Sequence, residues 1–438
     1  MNKLNISIKL KEVINDLNNK TFDDALRKLK TLSQQYKNNH LINKLFATIY
    51  FKKNNWKNAI KYYEKILSYE REKFKFYNNI GVAFFKLGEI TRSIESYKKA
   101  INDNYDFDLA HTNLGISYIE IGKYEQAVNS FSSALKLNNK NSYAQNNLID
   151  IFNVIKPKNI NDHPLININN EINKIVNNNK IKDLKKLENI KKILHDSDNI
   201  IKNFDENLFT NETQIYRKNS KNLNCNRHFK IFNKFNIIPK FCFSCYKIQI
   251  NLKNIVDLIK LYFVFDNLCL KNNNIRKCIV EMRNNIKGNY KGYIYCDKLN
   301  EAQEITKKIN KLLDFNKISY AKIMIKHGCS EFYAKYPKYE KINFEGTQEM
   351  QYKKEWAKKE YIFDSSEISR IDVDKKVWSS YLKGINLSDI LIIKNWIKYA
   401  DAIGDYSYKL VYDKDIKNNF FSNTIKTQLD FRKKDLLN

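Results

Sequence analysis

A period of 34 residues runs through the first third of the chain and constrains its fold more than any other feature. Gly81 and Gly115 are one period apart, and so are Gly88 and Gly122. These four are the only glycines before Gly288, so chance placement explains their spacing poorly. A repeat of this length is one supersecondary unit that must stack on its neighbours to bury its apolar face. The period therefore predicts a helical solenoid, each unit of which is two antiparallel helices.

Residues at equivalent positions of the period have matching sizes. Gly81, Gly115 and, one period upstream, Ala47 are small, which allows the first helix of a unit to lie close against the second. Gly88 and Gly122 stand where the first helix must end, because glycine readily adopts the left-handed conformation of a helix stop. Large aromatic residues recur in the second helix, where we expect them to wedge between hairpins: Tyr63, Tyr97 and Phe131.

This pattern resembles the tetratricopeptide repeat (TPR) family. Ala25 occupies the small-residue position of a degenerate unit near the N-terminus, and a capping helix is expected from Asn141 to Phe152. The proline that usually closes a unit of this family is missing, since Tyr105 and Asn139 stand there. The best units are residues 40–73, 74–107 and 108–141.

The resemblance implies a right-handed superhelix whose concave wall, built from the first helices, holds an extended or helical peptide. The alternative is that the repeats merely pack on the second half of the same chain. Eight residues of two neighbouring first helices are the predicted peptide groove: Asn78, Val82, Phe85, Lys86, Thr112, Ile116, Ile119 and Glu120.

Some members of the family clamp the C-terminal carboxylate of chaperones with Lys and Asn side chains at fixed groove positions. Lys44 suits one such position, and Asn79 and Asn113 suit another. The second required Asn is absent, so this chain is not expected to be a chaperone clamp. The residues found in its place are Thr48, Val82 and Ile116.

Composition changes after the repeats and suggests three parts. Residues 1–155 are the TPR-like repeats, residues 156–203 a linker or irregular helical extension, and residues 204–438 an α+β domain. The middle part is rich in Asn, Ile and Lys, with one possible helix from Ile181 to Leu194. The expected fold class is therefore multidomain: an all-α superhelix followed by an α+β domain that contains a small zinc-binding module.

The zinc prediction comes from two ligand pairs. Cys225 and His228 are separated by two residues, as are Cys242 and Cys245. Such pairs let a short turn present both donors to one ion, and a Cys₃His set would make a closed structural site. Three alternatives stay open: buried thiols without a metal, a redox pair of Cys242 and Cys245, or an iron–sulfur cluster. The last would draw on Cys269, Cys278 or Cys296.

The C-terminal part reads as strand, strand, helix, strand, which indicates an α+β sandwich. The segment Ile255–Leu270 before it is a buried helix or a strand pair. The stretch from Lys291 to Cys296 resembles the RNA-stacking strand of RRM domains, in which Tyr293 and Tyr295 would stack bases. It departs from that pattern at two positions, Ile294 and Lys298. The predicted elements are Lys277–Met282, Gly292–Cys296, Asn300–Phe315 and Tyr320–Lys326.

The formal net charge of +29 does not by itself indicate a nucleic-acid partner. The excess of Lys and Arg is nearly the same per residue in the first 150 residues and in the remainder, whereas a nucleic-acid binder shows a basic patch or stripe. Only a general attraction to polyanions follows.

The compartment is expected to be the cytoplasm. Met1–Val13 lacks the apolar core of a secretory signal, and no apolar stretch reaches the length of a membrane span. All seven cysteines lie between Cys225 and Cys329, which favours reduced thiols over a secreted disulfide scaffold.

The leading functional hypothesis is an adaptor, or scaffold, for a protein or peptide partner, with zinc as a structural cofactor. An RNA-binding or RNA-processing factor is the second hypothesis. A thiol-dependent enzyme that recruits its substrate through the repeats is the third, with Cys329 as the candidate nucleophile after a strand. No catalytic residues are assigned, because neither a Gly-rich phosphate loop nor a paired-carboxylate motif is found.

Overall fold

The computed structural model describes residues 2–157, 163–178, 186–204, 208–217, 223–284, 286–318, 320–367, 383–414 and 425–437. The chain divides into two compact units, the first ending at Leu148 and the second beginning at Ile149. The division lies inside the predicted capping helix rather than at residue 155.

The first unit is built of helical hairpins. The first helices of three successive units begin at His40, Phe74 and Asp108, and the second helices begin 34 residues apart as well. The predicted helical repeat is confirmed. Its helices are α1 (Asn2–Asn18), α2 (Phe22–Gln35), α3 (His40–Lys52), α4 (Trp56–Ile66), α5 (Phe74–Leu87), α6 (Ile90–Asp103), α7 (Asp108–Glu120), α8 (Tyr124–Leu137) and α9 (Ser142–Ile151).

Local sequence accounts for several helix ends. Asn39 accepts hydrogen bonds from the backbone N–H groups of Leu41 and Ile42, which satisfies donors that have no partner inside α3. Gly88 ends α5 with a φ of 81°, in the left-handed region that favours glycine.

Two glycines are required for the close packing of paired helices. A Cβ on Gly81 would lie 2.6 Å from Cε1 of Tyr97, and one on Gly115 would lie 2.5 Å from Cε1 of Phe131. Both rings are buried, with 2% and 0% of their surface exposed. The predicted close approach of first and second helices is therefore confirmed.

The second unit combines helices with one sheet. Two helices, α10 and α11, occupy most of the predicted linker. The predicted helix Ile181–Leu194 begins outside the described residues, and the observed helix α11 ends later than predicted, at Lys202. The helices are α10 (Pro164–Asn178), α11 (Leu187–Lys202), α12 (Cys225–Phe235), α13 (Ile255–Asn267), α14 (Leu299–Phe315), α15 (Pro337–Glu340), α16 (Trp356–Glu367), α17 (Leu387–Ile403) and α18 (Leu429–Leu437).

The sheet has five antiparallel strands in the order β1-β3-β4-β2-β5. From β2 onward the chain runs strand, helix, strand, strand, helix, strand, which is the split βαβ arrangement. The expected α+β class is confirmed, and Ile255–Leu270 forms a helix, α13. Strands β1 and β2 were not among the predicted elements. The strands are β1 (Gln214–Arg217), β2 (Tyr246–Leu252), β3 (Arg276–Val280), β4 (Tyr290–Cys296) and β5 (Lys322–His327).

A buried ionic network joins β1, α13 and α17. The Arg217 guanidinium donates to Asp266 and Asp389 at 2.8 Å each and to the Tyr262 hydroxyl at 2.8 Å. The Tyr262 hydroxyl in turn donates to Asp389 at 2.9 Å. Asp389 also completes the capping box of α17 with Asn386. Because burying a charge is costly unless it is paired, every charged member here has an opposite partner.

Candidate functional site

The predicted peptide groove lies on α5 and α7, which contact each other side by side. Val82 and Phe85 are half-buried and pack against the cluster around Tyr97. Ile116 and Ile119 are half-buried on the next unit. We call these four partly exposed residues the apolar row. Its flanks are polar: Lys86 is exposed and Glu120 is half-buried.

Two of the predicted groove residues are held inside the solenoid. Asn78 is 3% exposed and its side-chain oxygen accepts a hydrogen bond from Asn113 at 2.9 Å. Thr112 is 1% exposed; its hydroxyl donates to the Asp108 carbonyl and accepts from Asn141. Their polar side-chain groups are therefore used in hydrogen bonds within the solenoid. The other six remain predicted groove residues.

The residues that suit a carboxylate clamp have partners within the chain. The Lys44 ammonium donates to Glu70 at 2.9 Å, and Asn79 donates to the Tyr63 hydroxyl at 3.2 Å. Asn113 donates to Asn78. A ligand carboxylate would have to displace these bonds.

Cysteines from three segments of the second unit meet at one end of the sheet. Cys225 begins α12, Cys242 lies in the 3₁₀ turn Lys240–Phe243, and Cys245 directly precedes β2. The Cys225 thiol is hydrogen-bonded to the Cys329 thiol and to the His228 imidazole, and the Cys329 thiol is also hydrogen-bonded to Cys242. The sequence prediction did not include Cys329 among the ligands. We call these four cysteines with His228 the cysteine cluster.

Strand pairing explains why Cys329 joins the cluster. Strands β2 and β5 are antiparallel, and Tyr246 is paired with His327. The ladder continues one step further, where the Gly328 N–H donates to the Cys245 carbonyl at 2.8 Å. Gly328 must lack a side chain, because a Cβ would lie 2.4 Å from the Cys245 sulfur.

The Cys225 thiol favours its protonated form in this arrangement. The hydrogen bond with Cys329, then burial, raises the pKa of Cys225, against the opposing effect of His228. A raised pKa is the opposite of what a nucleophilic thiolate requires. Among the residues that the structure describes, no three His, Cys, Asp or Glu side chains are arranged to hold one metal ion.

His228 packs as an aromatic residue in this structure. It is 3% exposed, and its ring stacks on Phe241 at a centroid distance of 5.3 Å. The remaining cysteines lie elsewhere: Cys269 is exposed, whereas Cys278 and Cys296 are buried on β3 and β4.

The two tyrosines predicted to stack RNA bases lie on β4, at a cavity that the cysteine cluster also borders. Tyr293 is 5% exposed, and burial raises its pKa to about 12. Tyr295 is half-buried. A stacking platform needs open ring faces, but the ring of Tyr293 has the ammonium groups of Lys247 and Lys277 within 5.7 Å and 5.2 Å of its centroid. Burial, then the Lys247 charge, lowers the pKa of Lys277 to about 8.

Within the described part of the chain, no helix is both long and apolar enough to cross a membrane.

Comparison with known proteins bears on the first unit. Residues 83–122 match the TPR repeat model, and residues 45–73 and 110–141 match the tetratricopeptide repeat model. No curated protein matches the chain.

Several solved structures are similar to part of the chain. MamA from Desulfovibrio magneticus RS-1 is 15% identical with a TM-score of 0.31, over 33% of this chain and 82% of that one. Pseudomonas aeruginosa PilF is 17% identical with a TM-score of 0.30, over 33% and 67%. The TPR domain of Arabidopsis OM64 is 20% identical with a TM-score of 0.25, over 26% and 93%.

The glycine spacing, the helix starts 34 residues apart and the family matches all concern the same stretch of chain. Residues 45–141 are tetratricopeptide repeats, and we call this part of the first unit the TPR region.

Proposed function

We propose that this chain is an adaptor that holds a protein or peptide partner on the apolar row of its TPR region. The observation that supports this most is the row itself, in which Val82, Phe85, Ile116 and Ile119 keep part of their apolar surface exposed on adjacent helices. Partly exposed apolar surface between packed helices is what an amphipathic helix or an extended peptide covers on binding.

The flanking charges define the kind of partner. Lys86 lies at one end of the apolar row on α5, and Glu120 lies at the corresponding end on α7. The matching ligand has two to four apolar anchors and, beyond them, an acidic residue for Lys86. We expect the apolar anchors to supply most of the affinity and the charge to set the register.

Peptide display on the purified chain tests this function. Selected peptides should carry the anchor pattern and should bind with 1:1 stoichiometry in calorimetry. Ile116→Glu should weaken binding at least about tenfold, because it places a charge where the bound peptide would cover an apolar side chain. Ile14→Glu is the matched control, since Ile14 is exposed on α1. Failure to select any peptide, or equal loss in both variants, would reject the adaptor function.

We also propose that the cysteine cluster binds one structural zinc. The spacing of Cys225, His228, Cys242 and Cys245 supports it, and so do the hydrogen bonds that link Cys329 to Cys225 and Cys242. Binding would replace these thiol hydrogen bonds by Zn–S bonds and would release the thiol protons. The five candidate donors exceed the four of a tetrahedral site, and Cys329 competes with His228 for the fourth position.

Metal analysis of the purified chain tests the zinc proposal. We expect about one zinc per chain, lost in Cys242→Ser. Cys278→Ser is the control for a buried thiol outside the cluster, and it should keep the metal even if it lowers stability. Retention of zinc in His228→Phe would assign the fourth ligand to Cys329. A chain without metal when purified and refolded with zinc would end the proposal.

A further inference from the structure

A cavity of about 380 Å³ lies on one face of the sheet in the second unit. A Cβ on Gly292 would lie 2.3 Å from Leu261 of α13, so Gly292 faces that helix. Because successive side chains of a strand point to opposite faces of the sheet, Tyr293 faces away from α13. The floor of the cavity is therefore the sheet face opposite α13. The volume lies within the range of small-molecule pockets. Its floor includes Tyr216, Lys247, Lys277, Tyr293 and Tyr295.

Two lysines bring positive charge into this cavity. Lys247 is only 9% exposed, and both its ammonium and that of Lys277 lie within 6 Å of the Tyr293 ring centroid. In the described parts of the chain neither lysine has an acidic partner within 4 Å; the nearest polar contact is a 3.4 Å hydrogen bond from Lys277 to Gln214. Contact with a tyrosine ring offsets only part of the desolvation of an ammonium. Two neighbouring like charges, one buried and one half-buried, without a counter-charge within 4 Å are unfavourable for a purely structural role.

Glu281 and Glu331, which also line the cavity, raise the pKa of Lys277 and of Lys247, respectively, against the larger effect of burial, but neither forms an ion pair with these lysines. Glu281 already forms ion pairs of 2.8 Å with Arg283 and with Lys291. Glu331 is exposed at the rim, and its carboxylate lies more than 4 Å from both ammonium groups. The cavity therefore keeps excess positive charge.

We propose that this cavity binds a small organic anion, whose phosphate or carboxylate group lies between the ammonium groups of Lys247 and Lys277. The anion would provide the missing counter-charge and accept charge-assisted hydrogen bonds from both lysines. The remainder of the ligand would be apolar or aromatic, since Phe229, Ile279 and Met282 complete the lining. This site is independent of the peptide surface of the repeats.

The cysteine cluster supplies the main competing explanation. Cys225, Cys245 and Cys329 also line the cavity, and a zinc ion bound by three or four thiolates would form a centre with net negative charge. In that case the lysines would compensate a metal centre rather than bind a ligand. Metal content must therefore be measured beside ligand affinity.

Calorimetric titration of the full chain with phenyl phosphate, benzoate and inorganic phosphate tests the inference. We expect 1:1 binding of phenyl phosphate or benzoate, and the tighter of the two identifies the anionic group. Both Lys247→Met and Lys277→Met should weaken it at least about tenfold. Lys322→Met, an exposed lysine on β5 of the same sheet, should leave it unchanged.

A stability measurement guards against misfolded variants. Without ligand, Lys247→Met should unfold at the same or a higher temperature than the unaltered chain, because it removes a desolvated charge. The inference would be overturned if no probe bound at millimolar concentration, or if the affinity were equal in all variants. Zinc loss in Lys247→Met without any anion binding would also overturn it. Binding of a uridine oligonucleotide alone would overturn it too and would favour an RNA partner.

Discussion

Gly81 and Gly115 show how single positions set the geometry of the repeat. Each faces an aromatic ring of the paired helix at a distance that leaves no room for a methyl group. Glycine is otherwise unfavourable in a helix interior, by about 1 kcal/mol relative to alanine. Glycine is nevertheless required at both positions, because a larger residue would keep the two helices apart.

Gly115→Ala tests this balance of two effects. Helix propensity alone would stabilise the variant by about 1 kcal/mol, whereas overpacking against Phe131 costs about 1–3 kcal/mol. We expect net destabilisation of the first unit in urea unfolding. Gly115→Ala should lower the unfolding free energy less in a Phe131→Leu background than when Phe131 is present. If Gly115→Ala alone stabilised the first unit, close packing against Phe131 would not be the reason for the glycine.

Glu281 is a buried acid whose charge contributes to acid stability. Burial raises its pKa, but hydrogen bonds from Arg283 and Lys291 outweigh this and lower the pKa from 4.5 to about 2. The folded state therefore favours the ionised form. Its contribution is fully present above pH 4.5 and is lost as the pH falls towards 2.

Glu281→Gln should accordingly show a stability gap that depends on pH. The shift corresponds to about 3 kcal/mol when fully expressed. We expect the difference in unfolding free energy between the unaltered chain and the variant to shrink between pH 5 and pH 3. Urea unfolding at several pH values measures it, and a constant gap would show that the carboxylate charge is not involved.

The sequence predicted individual residues correctly where the 34-residue period determines which residues pack against each other. The glycine positions followed from the period, but the burial of Asn78 did not, because it depends on a hydrogen bond from Asn113 on the next unit. Cys329 could not be added to the cluster, since only the pairing of β2 with β5 brings it to Cys245.

At the scale of elements, the Arg217 network fixes how α13 and α17 pack on β1. Removing one member of a buried ion pair leaves the other charges uncompensated, which costs about 3–5 kcal/mol. We therefore expect Arg217→Met to destabilise the second unit by about that amount in urea unfolding. Lys338→Met is the control: its ion pair with Glu349 is 3.6 Å long and exposed, so its effect should stay within about 0.5 kcal/mol. Equal effects of the two changes would refute the structural role of the network.

The elements of the second unit could be predicted only in part. In strand β2 the apolar residues Tyr246, Ile248 and Ile250 alternate with polar residues. That alternation is hidden because the strand runs into the apolar helix α13. Strand β1 has only four residues, too few for a period to emerge. The ionic network joins residues far apart in sequence, which no local pattern reveals.

For the whole molecule, the net charge of +29 and the apolar row predict two kinds of binding that salt can separate. General attraction of polyanions is screened and falls steeply as salt is added. Burial of apolar anchors is not screened. The affinity for a selected peptide should change less than about tenfold between 50 mM and 500 mM salt, as measured by calorimetry. A steeper loss would indicate that charge, rather than the apolar row, holds the peptide.

The most direct test of the adaptor role is amide hydrogen exchange of the full chain with and without a saturating selected peptide. We expect new protection in α5 and α7, around Val82–Lys86 and Ile116–Glu120, and none in the sheet of the second unit. Protection confined to the second unit, or no protection of α5 and α7 at saturation, would contradict the claim that the repeats hold the partner.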